Sequence, residues 1–284
     1  MVHINQWLGR TCNNIIQVFN CIIFCKKYHL KFEQVLDHDI IDKFTIDFSN
    51  NTNNVDYNLL YHAQSCNFYK GDLPFMSEFY PFPISKEEFY LILYVYILPH
   101  LKLPKNIDKL DENTLVISIR SGDIIRDDVI SNGMLDLYKR NNKTILYAVP
   151  PAKMYYDIIE KHNKVIIVCE NALNPVIDHL KNKYPDKITV QSNNVLDDMI
   201  TLLSAQTLAG ASIYNGTFFY MISCLSQNVK NMYIFELDDR TDRNVYMYLP
   251  HVHVKLIKMN DNYYDTYNLN NLITWDKEVY QLDL

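Results

Sequence analysis

Glycine is scarce: the 284-residue chain holds six, where an average domain takes about 7 % of its residues from glycine. Scarcity makes each survivor, Gly9, Gly71, Gly122, Gly133, Gly210 and Gly216, a candidate for a backbone position that no side chain can occupy. An excess of basic charge is missing too. Lys and Arg number 27 against 33 Asp and Glu, a formal net charge of -6, and without a basic footprint nucleic acid is disfavoured as a partner. The cysteines, at 12, 21, 25, 66, 169 and 224, form no CxxC pair and no compact framework, which excludes a zinc site and a small disulfide fold. Reduced thiols in a cytoplasmic chain are the expectation.

Long apolar runs are lacking as well. The run from Phe89 to Leu98 is about half a membrane span and is expected as a buried element. From Ile15 to Cys25 the chain has the apolar character of a signal-peptide core, but Gln17 and Asn20 interrupt it and no small-residue cleavage site follows. No membrane span and no leader are therefore expected. Also absent are HExxH, GxxxxGK[ST], GxSxG and GxGxxG. His251 and His253 share one face of a strand, without a third ligand to make a metal site.

What is present reads as a folded α/β protein of two lobes. Hydrophobic residues make up 48 % and charged residues 21 %, close to globular averages, and the length suits two domains. A helix is expected from Asn14 to about Lys27, beginning after Gly9-Arg10, because Ile15, Phe19, Ile22 and Ile23 form one apolar stripe. The first lobe then turns loop-rich, with an Asn-rich polar stretch at 50 to 58 and Pro74, Pro81 and Pro83. A connection follows through Pro99, Pro104 and the charged stretch to Asp111, which divides the chain into lobes at 1–108 and 109–284. In the second lobe β-rich runs at Leu115–Ile119, Thr144–Ala148, Val165–Val168, Ile188–Gln191, Leu208–Ile213 and Met232–Phe235 alternate with helical patterns. The helical patterns are Ala152–Glu160, Pro175–Lys183, Val195–Ala205 and Thr217–Ser226. Such alternation predicts a doubly wound parallel sheet, which binds ligands beyond the carboxyl ends of its strands.

Three constellations have the chemistry for that place. Ser118-Ile119-Arg120-Ser121-Gly122-Asp123 puts a guanidinium, a permissive glycine and a carboxylate at the end of a strand, where a diphosphate would accept a bidentate arginine contact. The plainer reading is a loop salt bridge between Arg120 and Asp123. Gly9-Arg10-Thr11-Cys12-Asn13-Asn14 opens the first helix, whose free N–H groups favour an anion; the plainer reading makes Asn13 a helix cap. Asn215-Gly216-Thr217-Phe218 lies between a strand and a helix, with Thr217 placed either to cap or to help hold a phosphate. The neighbours Asp197 and Asp198 are expected to cap or face solvent rather than hold a metal.

Taken in order, these elements resemble the fucosyltransferase superfamily, the α-1,2-, α-1,6- and protein O-fucosyltransferases. The similarity lies in GRTCNN near the start, SIRSGD after a central strand, and the spacing of Asp198, Ala205 and Gly210 before Asn215-Gly216-Thr217-Phe218. The resemblance implies a GT-B fold of two Rossmann-like lobes with a donor cleft between them, an acceptor-side first lobe and a nucleotide-sugar-binding second lobe. It implies a metal-independent, inverting transfer of a sugar, above all L-fucose from GDP-fucose, to a hydroxyl of a glycan or glycoprotein, with no further cofactor. Arg120 would bind the β-phosphate, and Asp123 would either orient Arg120 or shape the donor loop, the two forming the catalytic pair. Gly9, Arg10, Asn13, Asn14, Ser118, Gly122, Gly216, Thr217 and Phe218 would line the donor, and Asp198 would face the guanine. The chain departs from the family pattern with Ser118 for a histidine, Ser121 for a second arginine and Cys12 for a second glycine. Two alternatives stay open on that account: another nucleotide sugar such as UDP-xylose, or a catalytically dead glycan-binding relative.

Overall fold

A computed structural model describes residues 1–50, 55, 85–122, 125, 139–140, 144–145, 149–211, 217–236, 252–259 and 271–283. Two units divide the chain: Met1–Lys105 with Asn244–Tyr248, and Asn106–Arg243 with Leu249–Leu284.

The first unit opens on β1 (Val2–His3) and α1 (Thr11–Tyr28). Gly9 turns the chain inward at a φ of +73°, and the Asn14 N–H bonds to the Arg10 carbonyl at 3.0 Å. That first helical bond makes Arg10 the N-cap, with no side-chain cap, and places Asn13 inside the first turn rather than at the cap. The stripe expected from Ile15 to Ile23 is buried, together with Asn14, Gln17 and Asn20. Two further strands, β2 (Lys31–Gln34) and β3 (Phe44–Asp47), complete a mixed sheet in which β1 and β2 are parallel and β2 and β3 antiparallel. This three-stranded sheet is the sheet of the described part of the first unit.

Helix α2 (Lys86–Leu91) starts at Ser85, whose hydroxyl accepts the Glu88 N–H at 3.2 Å, and passes into a π turn at Ile92–Ile97. The apolar run expected to be buried throughout is buried on one face only. Phe89, Ile92, Leu93 and Ile97 point inward, while Leu91 and Val95 are 42 % and 51 % exposed, because helical periodicity turns every third or fourth side chain away from α1. An ion pair between Lys26 and Glu88, 2.6 Å apart, links the two helices.

The second unit is built on seven strands: β4 (Thr114–Ser118), β7 (Lys164–Val168), β8 (Ile188–Gln191), β9 (Thr207–Ala211), β10 (Asn231–Phe235), β11 (His253–Met259) and β12 (Val279–Asp283). Their spatial order is β12-β11-β10-β9-β4-β7-β8, parallel except for β12. Numbered within the unit, this is the 3-2-1-4-5-6 order of a doubly wound nucleotide-binding sheet with one antiparallel strand added. The strands are short and rich in Val, Ile and Leu, as sheets buried on both faces require.

Helices α3 (Lys153–Glu160) and α4 (Pro175–Lys183) cover one face, where Tyr155, Ile158, Val176, Ile177 and Leu180 pack with Leu115, Ile117, Val165, Ile167 and Phe235. Helices α5 (Val195–Ser204) and α6 (Thr217–Leu225) contact β4 and β9. Gly210 lies directly under the Phe219 ring of α6. Short α7 (Asn271–Thr274) precedes β12.

The run at Thr144–Ala148 is not part of this sheet as expected. Its described residues form β6 (Thr144–Ile145), an antiparallel partner of β5 (Lys139–Arg140) in a separate two-stranded ribbon. Among the described residues, no helix is long and apolar enough to cross a membrane.

Candidate functional site

In the second unit the chain leaves β4 toward β7 and β8, returns to β9 on the other side of β4, and continues away to β10 and β11. The loops beyond β4 and β9 therefore diverge, and the crevice where they part is the ligand-binding position of such sheets. Ser118, the last residue of β4, is half-buried between Val168 and Gly210. Two residues on, Arg120 is also half-buried, followed by buried Ser121 and Gly122. Gly122 has a φ of +66°, a conformation that favours glycine over any L side chain. Across the crevice Thr217 and Phe218, both half-buried, begin α6.

The Arg120 turn is held from the neighbouring loop. Asn174 is fully buried and caps α4 by accepting the Val176 N–H at 3.0 Å; its Nδ2 donates to the Arg120 carbonyl at 2.9 Å. Asn171 Oδ1 accepts from the Ser121 hydroxyl and from the Gly122 N–H, the latter at 3.3 Å. Pro175 follows Asn174 at the first helical position, where its missing N–H costs nothing. One asparagine thus fixes both a helix start and the carbonyl of the expected phosphate-binding arginine.

Beyond β7 and β8 lies a second polar group. Asp198, in the first turn of α5, is only 7 % exposed and accepts from Gln191 Nε2 at 2.8 Å. Burial pushes its carboxyl above the usual range, while the Gln191 and Asn193 hydrogen bonds act in the opposite sense. Of the pair expected to cap or face solvent, Asp198 lies buried in the first turn of α5, and the exposed carboxylate is Asp197, bonded to Asn194 Nδ2 at 2.8 Å. Burial, and then the nearby Asp198 charge, push the Cys169 thiol up to about 11, which keeps it protonated and unreactive near neutrality. Glu170 is exposed and its carbonyl accepts from the Ser192 hydroxyl at 2.8 Å.

The residues expected from the first unit stand at the start of α1. Arg10 is exposed, Asn13 half-buried and Asn14 buried. Asn14 donates to the Leu8 carbonyl at 3.0 Å and to Gln17 Oε1 at 3.1 Å, and its Oδ1 faces His38 Nε2 at 3.0 Å. Gln17 reaches back to Leu8 N and the Gln6 carbonyl. A cleft of about 680 Å³ opens beside this network, lined by Leu36, Asp37, His38, Asp39, Asp42 and Lys102 among others. It belongs to the first unit alone.

Asp123 and Gly216 lie outside the described residues, as do Gly71, Gly133, Cys66, His251 and Tyr147 of the expected segment Tyr147–Tyr155. His253 opens β11, exposed, 3.4 Å from Asp283. Among the described residues no cluster of His, Cys, Asp and Glu is placed to hold a metal, and the five described cysteines are all buried. Asn171, Asn174, Gln191 and Glu170 were not singled out by the sequence. Asn174-Pro175 carries a readable helix-start signal, whereas Glu170 gains meaning only from the strand order. No family model matches the chain, and no curated protein matches it.

Proposed function

We propose that the second unit binds the diphosphate of a nucleotide sugar at the β4/β9 crevice, and that the chain is a GT-B-type glycosyltransferase with GDP-fucose as its favoured donor. The observation that carries this reading is the position of Ser118–Gly122. The segment follows the first strand of a 3-2-1-4-5-6 sheet and is braced by Asn171 and Asn174. Bracing matters because donors held in place before the reaction need no reorganisation as charge develops on the leaving nucleotide. Arg120 supplies the fork of N–H groups and Thr217 and Phe218 the amides at the start of α6. Asp198 stands at the nucleobase end. The acceptor is a hydroxyl of a glycan or glycoprotein, and the departing diphosphate is neutralised by protein groups without a metal.

A thermal-shift panel of GDP-fucose, GDP, UDP, UDP-xylose, NAD and S-adenosylmethionine tests this. GDP species should raise the melting temperature, since a ligand at 100 times its Kd adds about 2.7 kcal/mol, and transfer should survive EDTA. A response to UDP species alone moves the assignment to UDP-xylose-type donors. A response to NAD or S-adenosylmethionine alone assigns a different nucleotide enzyme, and silence across the panel contradicts the proposal.

A further inference from the structure

Glu170 stands two residues beyond β7, the second strand of the 3-2-1-4-5-6 order, and Gly122 stands four residues beyond β4, the first. The two strands are paired in register, Ser118 beside Val168. Their loops meet: a Cβ built on Gly122 would fall 2.0 Å from Glu170 Oε2 and 2.2 Å from its Cδ. The Glu170 carboxylate therefore lies against the bare backbone of the turn that also carries Arg120. Its own backbone is anchored, because Ser192 at the end of β8 donates to the Glu170 carbonyl at 2.8 Å, and Asn171, the next residue, holds Gly122.

An exposed carboxylate at this place repels phosphate and attracts hydroxyl hydrogens. In sheets of this order an acidic residue at the end of the second strand accepts from the ribose hydroxyls of a bound nucleotide, beside the glycine turn that follows the first strand. Arg120 and Glu170 stand on the two neighbouring loops that follow β4 and β7, and the Glu170 carboxylate lies against Gly122. We propose that Glu170 accepts hydrogen bonds from the 2′- and 3′-hydroxyls of the nucleotide's ribose, so that the ligand lies with its diphosphate toward β9 and its nucleoside over β7. The assignment rests on the nucleotide-binding reading above and adds to it a preference for ribonucleotides without a 2′-phosphate. Gly122 is then constrained twice, by its backbone conformation and by the space that the carboxylate occupies.

Calorimetric titration of the full chain with GDP and 2′-deoxy-GDP, repeated with UDP and 2′-deoxy-UDP, tests the assignment in the parent, Glu170→Ala and Arg120→Ala. A hydrogen bond to a charged group sets the expected discrimination at about ten- to a hundredfold in favour of the ribonucleotide. Glu170→Ala should bring the ratio of the two Kd values close to one by weakening the ribonucleotide more than the 2′-deoxy form, which loses only its 3′-hydroxyl contact. Arg120→Ala should weaken both and leave the ratio intact. If Glu170→Ala keeps the parental ratio, or weakens ribo and deoxy forms equally, Glu170 does not read the sugar, while a loss on Arg120→Ala would still uphold the diphosphate site. If the parent binds none of the four nucleotides, both assignments fall.

Discussion

His38 shows how much a single side chain can decide in the first unit. Its Nδ1 accepts the Ile40 N–H at 3.1 Å, which leaves Nε2 to donate to Asn14 Oδ1 at 3.0 Å, an arrangement that only the neutral ring can satisfy. Burial lowers its pKa below the ordinary value, Lys102 acts in the same direction, and Asp39 opposes them. Asp37, Asp42 and Lys43 line the same cleft. Because the folded state holds its proton less tightly than the unfolded state, stability is full above the ordinary histidine value of about 6.5 and declines as pH falls through and below it. The urea midpoint of the parent should therefore drop between pH 7.5 and pH 5.5, and His38→Gln should show a smaller drop. Equal drops would assign the effect elsewhere, with His100, lowered chiefly by burial, the next group to replace. At this scale the sequence singles out Arg120, Gly122 and Thr217 by their types and order. It does not single out Glu170 or Asn171, whose positions depend on which strands are neighbours.

Among elements, β9 and α6 meet closely at Gly210. A Cβ on Gly210 would lie 2.6 Å from Phe219 Cδ2 and 2.7 Å from Cγ, and the Phe219 ring is buried and cannot swing out. Replacing glycine by alanine in a strand relieves roughly 0.5–1 kcal/mol of entropic cost, whereas overpacking a filled interior costs about 1–3 kcal/mol. The clash wins, and Gly210→Ala should lower the denaturant midpoint at unchanged m-value; a rise in midpoint would show that α6 yields freely.

Helices and strands of the second unit were legible in sequence because each carries its own period or apolar run: Ile188–Gln191 and Pro175–Lys183 stand where the pattern places them. The run at Thr144 misled for the opposite reason. Its apolar character marks a strand, but whether a strand joins the main sheet or pairs with Lys139–Arg140 is a non-local matter. The short strands β1, β2 and β3, two to four residues each, carry too few alternations to announce themselves.

For the molecule as a whole, the second unit gives the account its shape. Its strand order brings the end of β4 beside the end of β9, so that segments nearly a hundred residues apart in sequence form one crevice in a chain of net charge -6. A polyanion gains nothing from that overall charge, and its attraction must come from local groups, chiefly Arg120. The most direct test is the GDP affinity and the melting curve of Arg120→Ala and Arg120→Lys beside the parent. Arg120 is half-buried, and both substitutions keep the backbone carbonyl that Asn174 holds, so both variants should melt cooperatively within a few degrees of the parent. Affinity should fall by about ten- to a hundredfold in Arg120→Ala and recover poorly in Arg120→Lys, because one ammonium cannot reproduce the planar fork. Near-parental GDP affinity in a folded Arg120→Ala would contradict the diphosphate site at the β4/β9 crevice.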